Sequence, residues 1–231
     1  MTAERDVTRE DVIRLAGTGR YAEIRELAAD GFDFNFSLKD HRFPDSYRCP
    51  LDTAIWEQDE EMVQLLLDSG ASPNHLSGRS NKCPVIITAV SLDYRSIPKM
   101  MLWYGGYPSL PDRFGWTALH QAVDRADYDF IELALEKGGD INSQTRDGNS
   151  PLHVAAWYAS CITDFLLERG ADPNAVNAKG HMPRDEWGDW REGDYFTHED
   201  ADYIDWYKYT PDGRVAPRPF NPIKGLEKLA A

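Results

Sequence analysis

Glycine recurs at positions 31, 70, 105, 138 and 170, each time just after a short apolar run, at intervals of 39, 35, 33 and 32 residues. A second marker keeps nearly the same step. Pro50, Pro84, Ala118, Pro151 and Pro183 stand at the start of each unit's first apolar segment, at intervals of 34, 34, 33 and 32. Two independent markers with one period mean that a single supersecondary unit is written several times along the chain. Such a unit cannot bury its apolar face alone, so the copies must stack, each covering its neighbour.

The unit is clearest at Ser150 to Asn174, S-P-L-H-V-A-A-W-Y-A-S-C-I-T-D-F-L-L-E-R-G-A-D-P-N. Ser150 is placed to cap a first helix, and Pro151 fits its first position, where a missing N–H costs nothing. Leu152, Ala155 and Ala156 give that helix a small apolar face. Phe165, Leu166 and Leu167 form the apolar stripe of a second helix, which Gly170 ends as its left-handed C′ residue. The pattern T-P-L-H-x-A-A followed by x-x-L-L-x-x-G-A-D-x-N resembles the ankyrin repeat. The resemblance covers about Thr8 to Asp185. It implies an all-α ankyrin-repeat solenoid of five recognisable repeats plus a degenerate sixth and a C-terminal cap.

The first unit, about Thr8 to Asn35, lacks the T-P-L-H opening. Thr8 and Asp11 are spaced as a capping box, and a polar opening helix suits a stack end whose outer face meets water. The 39-residue interval that follows leaves a longer loop, or finger, at Ser37 to Tyr47. Units two to four open at Cys49-Pro50-Leu51-Asp52, Cys83-Pro84-Val85-Ile86 and Thr117-Ala118-Leu119-His120. A sixth begins at Met182-Pro183-Arg184-Asp185 and then departs. Asp185 to Asp205 carries nine acidic residues against one basic, with Trp187, Trp190, Tyr195, Phe196 and Tyr203 interspersed. Thr197 to Asp200 has the form of a helix start, and Thr210-Pro211-Asp212-Gly213 that of a turn. The expected division is a repeat domain at 1–180, a degenerate repeat with acidic-aromatic cap packed on the stack at 181–222, and a tail at 223–231. The closing Lys228-Leu229-Ala230-Ala231 resembles vector-derived sequence.

A net charge of −14 with an isoelectric point near 4.8 disfavours direct nucleic-acid binding, since phosphates are repelled. It favours partners with basic surfaces. The alternative is that the charge serves solubility alone. No run approaches 18 apolar residues, so no membrane-spanning helix is expected, and the N-terminus lacks a signal-peptide pattern. Three cysteines fit a reducing compartment, and the expected location is the cytoplasm.

By the resemblance, binding falls on the solvent side of each first helix and on the fingers. The helix positions are Trp56 and Glu57, Val90 and Ser91, Asp124 and Arg125, and Trp157 and Tyr158. The finger positions include Arg113, Phe114 and Trp116. An exposed Trp is a typical hot-spot residue, which singles out Trp56 and Trp157. Asp189, Trp190, Glu192 and Asp194 in the acidic segment extend the candidate surface. That segment also reads as a simple cap, and the two roles are compatible.

His120 and His153 occupy the T-P-L-H position, where the resemblance implies that they tie neighbouring loops. The remaining histidines show no ligand spacing with another His or Cys, so no metal is expected. Cys49 and Cys83 hold equivalent positions in successive units roughly 10 Å apart, beyond disulfide reach, and are expected to be free thiols. No phosphate loop, nucleophile elbow or zinc-protease motif is present, and no cofactor or enzymatic activity is expected. The expected function is binding of a protein partner by a chain that is monomeric when unbound. The favoured form is an acidic inhibitor or immunity-type protein that masks a basic effector such as a toxin or nuclease. The alternative is an adaptor that tethers a partner through the concave face.

Overall fold

A computed structural model of the chain describes residues 7–40, 46–79, 83–92, 95–157 and 162–186, with Arg79 and Trp157 described as backbone only. Five helix pairs follow one another there. They are α1 (Arg9–Ala16) with α2 (Tyr21–Ala29), α3 (Pro50–Trp56) with α4 (Glu60–Asp68), α5 (Val85–Ser91) with α6 (Ser96–Trp103), α7 (Ala118–Asp124) with α8 (Tyr128–Glu136), and α9 (Pro151–Trp157) with α10 (Ile162–Glu168). A single 3-10 turn at Pro183–Asp185 begins the sixth unit and packs on α9.

The local signals act as the sequence requires. Thr8 Oγ accepts from the Asp11 N–H at 3.2 Å and the Asp11 carboxylate accepts from the Thr8 N–H, completing the capping box. The five unit-closing glycines all lie at φ between 77° and 92°. The first helices stack as α1, α3, α5, α7, α9, and the second helices α2, α4, α6 and α8 form an outer layer behind them. An inner helix therefore has neighbours on three sides. This explains why Val85 to Val90 of α5 are buried without a break, while an outer helix buries only a stripe, such as Met62, Val63, Leu66 and Leu67 of α4.

Polar side chains staple each outer helix to the next. Arg25 meets Glu61 at 3.3 Å, Ser96 donates to Glu60, Lys99 meets Asp129 at 2.9 Å, and Arg169 pairs with Glu132. Pairs this open to water contribute little each, so they set register more than stability. Phe165 is half-buried rather than core: its ring meets Tyr128 edge-on at 4.9 Å and lies under the Arg169 guanidinium.

The helices carry the fold, and the fingers add a feature the all-α expectation lacked. β1 (Leu38–Lys39), β2 (Ser46–Arg48), β3 (Leu76–Arg79) and β4 (Cys83–Pro84) form an antiparallel ribbon in that order. Leu38 faces Arg48, Ser46 faces Arg79, and Leu76 faces Pro84. The longer first finger supplies enough chain for a hairpin, and the second finger pairs along its free edge. Ahead of β1, Phe34 and Phe36 are buried in the core, with Phe32 edge-on to Phe34 at 5.2 Å.

Candidate partner-binding face

Two kinds of hydrogen bond tie the loops of successive repeats. The first runs through histidine. His120 is fully buried, and its Nδ1 lies 3.3 Å from the Thr117 backbone nitrogen and 2.9 Å from Thr117 Oγ. A backbone N–H only donates, so Nδ1 is an acceptor and Nε2 carries the proton. Nε2 then donates to the carbonyl of Asn149 in the next finger at 3.0 Å. His153 repeats the arrangement with Ser150 and the carbonyl of His181 at 3.1 Å. Burial pushes the His120 pKa down to about 4 and lowers that of His153.

The second runs through asparagine, and the sequence had shown these residues only as part of the closing loop. Asn35 Nδ2 donates to the Gly70 carbonyl at 2.9 Å while its Oδ1 accepts from the Ser72 N–H at 2.7 Å. Asn74 does the same to Gly105 and Tyr107, and Asn142 to Gly170 and Asp172. The third repeat has Ser109 there, which accepts only from the Asp140 N–H, at 2.8 Å.

On this frame Trp56 ends α3 with 55% of its surface exposed, and Glu57 beside it is exposed. Arg125 is exposed at the end of α7, and its Nη2 donates to the Ser91 carbonyl at 2.6 Å, bridging two inner helices. Asp124 is half-buried and accepts from Gln121 Nε2 at 3.2 Å. Phe114 stands at a finger tip, 54% exposed, with the Arg113 guanidinium 4.4 Å from its ring centre. Its carbonyl accepts from the Arg146 N–H of the next finger at 2.8 Å. The tips touch because Gly115 lacks a side chain: a Cβ there would lie 2.7 Å from the Arg146 nitrogen.

Two expected contact residues turn inward. Trp116 packs half-buried against the core, its ring centre 5.6 Å from that of His120. Val90, in the register position of Trp56, is buried because its short side chain ends below the rim that a Trp passes. Trp157 ends α9 in the same register as Trp56, but its side chain lies outside the description. Tyr158, Asp189, Trp190, Glu192 and Asp194 lie outside the described residues, as do Cys161, the expected helix start at Thr197 and the turn at Thr210. The structure also exposes Trp103 (67%) and Tyr107 (53%) at the outer-helix side. A register comparison reveals them, since they replace Asp68 and Ser72 of the second repeat and Glu136 and Asp140 of the fourth.

A groove of about 460 Å³ opens between α1, α3 and the β1–β2 hairpin, with Glu57, the residue after Trp56, on its wall. Arg14, Lys39 and Arg48 line it together with Glu10, Asp40 and Glu57, so both signs of charge are offered. Cys49 and Cys83 are free, and burial raises both thiols, Cys49 to about 12 and Cys83 to about 11, well above the nucleophilic range. Among the described residues no three His, Cys, Asp or Glu side chains gather to hold a metal, and no helix is long and apolar enough to cross a membrane.

A family model described as ankyrin repeats (3 copies) matches residues 86–177 and one described as ankyrin repeat matches residues 47–77, together just over half of the chain. Rabankyrin-5 of Homo sapiens is 28% identical over 152 residues, 58% of this chain and 13% of its own length. The nuclear factor NF-kappa-B p105 subunit of Gallus gallus is 26% identical over 193 residues, 79% of this chain and 19% of its own. Protein phosphatase 1 regulatory subunit 27 of Mus musculus is 36% identical over 73 residues, 31% of this chain and 47% of its own. The chain thus spans less than half the length of each of these relatives.

Proposed function

We propose, for a chain that belongs to the ankyrin-repeat family, a protein-interaction module, that it binds a basic protein partner across its inner-helix ends and finger tips and masks that partner's working surface. The reading is of a non-enzymatic inhibitor or immunity-type protein, cytoplasmic and monomeric until bound. The observation that carries it is the exposure of Trp56 and Phe114 on the side of the inner-helix ends and fingers, where His120 and His153 tie each repeat to the next finger. Large aromatics on a pre-ordered surface lose little entropy on binding and act as anchors. A basic partner is favoured by the net charge of −14 and by the nine acids against one Arg between Asp185 and Asp205. The relative titled a phosphatase regulatory subunit supports an effector that is itself an enzyme.

The test is retention of partners from the native host by the full chain at low and high salt, followed by assay of the retained protein. A single basic partner whose activity falls on binding supports the inhibitor. Retention of a large assembly at both salts favours the adaptor. Trp56→Ala and Phe114→Ala should each weaken binding by roughly tenfold or more, with Trp103→Ala on the outer side near wild type. The reverse pattern overturns the assignment of the face.

A further inference from the structure

Asp52 stands where His120 and His153 stand in their repeats, three residues after the helix cap, and it does a different job. It is 3% exposed in α3, with its backbone N–H donating to Cys49 Sγ at 3.2 Å. Its Oδ2 lies 2.9 Å from Ser77 Oγ in β3, and the same Ser77 Oγ lies 2.9 Å from the Tyr47 carbonyl in β2. Asp52 Oδ1 is buried with no hydrogen-bond partner.

A hydroxyl has one hydrogen. If Asp52 is ionised, Ser77 can serve the carboxylate or add a bond to the Tyr47 carbonyl beside its ladder pairing with Gly78, but not both, while Oδ1 keeps an uncompensated share of charge. If Asp52 is protonated, every hydrogen has a place: Asp52 Oδ2–H donates to Ser77 Oγ, Ser77 Oγ–H donates to the Tyr47 carbonyl, and Oδ1 is an ordinary carbonyl oxygen. An orphaned neutral acceptor costs far less than a buried partial anion. We propose that Asp52 is a proton-operated latch that ties α3 to strands β2 and β3 of the finger ribbon when it takes up a proton, and loosens the ribbon when it releases it.

The surroundings agree in sign. Burial raises the Asp52 pKa to about 6, while the Ser77 hydrogen bond and the Arg48 guanidinium of β2 pull the other way. Arg48 is shared with Asp40 at 3.9 Å. The β4 side contributes the Cys83 thiol, kept neutral by burial. From α5 come only Val, Ile, Ala, Thr and Ser, α4 packs an apolar stripe, and α1 offers Glu10 and Arg14 across the groove. Because the folded pKa is raised, the latch stabilises fully below the usual carboxylate pKa and is lost as pH rises through about 6. Arg48 and Thr53 also line the groove that Glu57 borders, so the state of the latch bears on the edge of the binding face.

The test is a carbon-13 NMR titration of the aspartate carboxyls in the full chain. Asp52 is expected to titrate near pH 6, with the Tyr47, Ser77 and Gly78 amide signals moving at the same midpoint. In Ser77→Ala the carboxyl should still titrate above the usual range while the Tyr47 and Gly78 signals cease to follow it. In Asp52→Asn, a neutral mimic, amide exchange in residues 46–48 and 76–79 at pH 7.5 should be slower than in wild type. Titration of Asp52 in the ordinary range near 4, ribbon signals indifferent to it, or coupling that survives Ser77→Ala would each overturn the latch. The wild-type titration decides the matter even if Asp52→Asn does not fold.

Discussion

His120 Nε2 donates to the carbonyl oxygen of Asn149 across 3.0 Å, tying the fourth repeat to the finger of the fifth. Both ring nitrogens are engaged in a way that only the neutral imidazole allows, so protonation must break the contact at Nδ1. The folded pKa of about 4 lies below the ordinary 6.5. The stability this residue contributes is therefore complete above pH 6.5 and falls away as pH drops toward 4. Urea unfolding at pH 7.5 and 5.5 should show a loss of about 1 kcal/mol from His120. Asp52 acts with the opposite sign over the same range, so the loss should be larger in Asp52→Asn than in wild type. A pH-independent stability in Asp52→Asn would show that the histidine clamp is not titrating.

Ser109 is the weak rung of the asparagine clamps. Ser109→Asn should add the missing donation to the Gly138 carbonyl and raise stability by roughly 0.5–1.5 kcal/mol in chemical unfolding. Asn142→Ala should lose a comparable amount, roughly 0.5–1.5 kcal/mol, because two hydrogen bonds go but both are open to water that replaces them.

Ala126 turns the chain between α7 and α8 at φ 52°, and Gln58 does so between α3 and α4 at φ 60°. The first repeat uses Gly19 at the equivalent point, at φ 65°. An L side chain in this region is strained, so Ala126→Gly should stabilise the protein by about 1 kcal/mol. Equal or lower stability in the variant would mean that the extra freedom of glycine in the unfolded chain cancels the relief.

Gly115→Ala is expected to act in the other direction. Its φ is +84°, and the added Cβ would meet backbone of the next finger at Arg146 and Thr145. Stability should fall by about 1–3 kcal/mol, and partner binding through Phe114 should weaken more than through Trp56. Equal losses at both aromatics would indicate a global rather than a local effect.

Much of this was legible in the residues alone. A 33-residue step with a helix-opening Pro or Ala and a helix-closing Gly admits few folds, because each signal is local and each repeat confirms the last. The free thiols of Cys49 and Cys83 followed from the spacing of successive repeats, and the clamping role of His120 and His153 from the ankyrin resemblance. Trp56 was singled out as an exposed Trp at a contact position of the repeat, and the structure leaves it 55% exposed. Trp116 was misplaced for a reason sequence cannot show. In R-F-G-W the left-handed Gly115 reverses the chain, so that Phe114 faces water and Trp116 faces His120.

What the sequence determined is the repeat itself, since periodicity, caps and apolar spacing act within about 30 residues. The tertiary structure decided everything that depends on which finger meets which: the ribbon of β1 to β4, the asparagine clamps, and the three-atom relay from Asp52 through Ser77 to Tyr47. The asparagine clamps and the relay join residues 25 to 37 positions apart, as does the β2–β3 pairing, and their chemistry depends on ångström-scale placement, which no local pattern encodes.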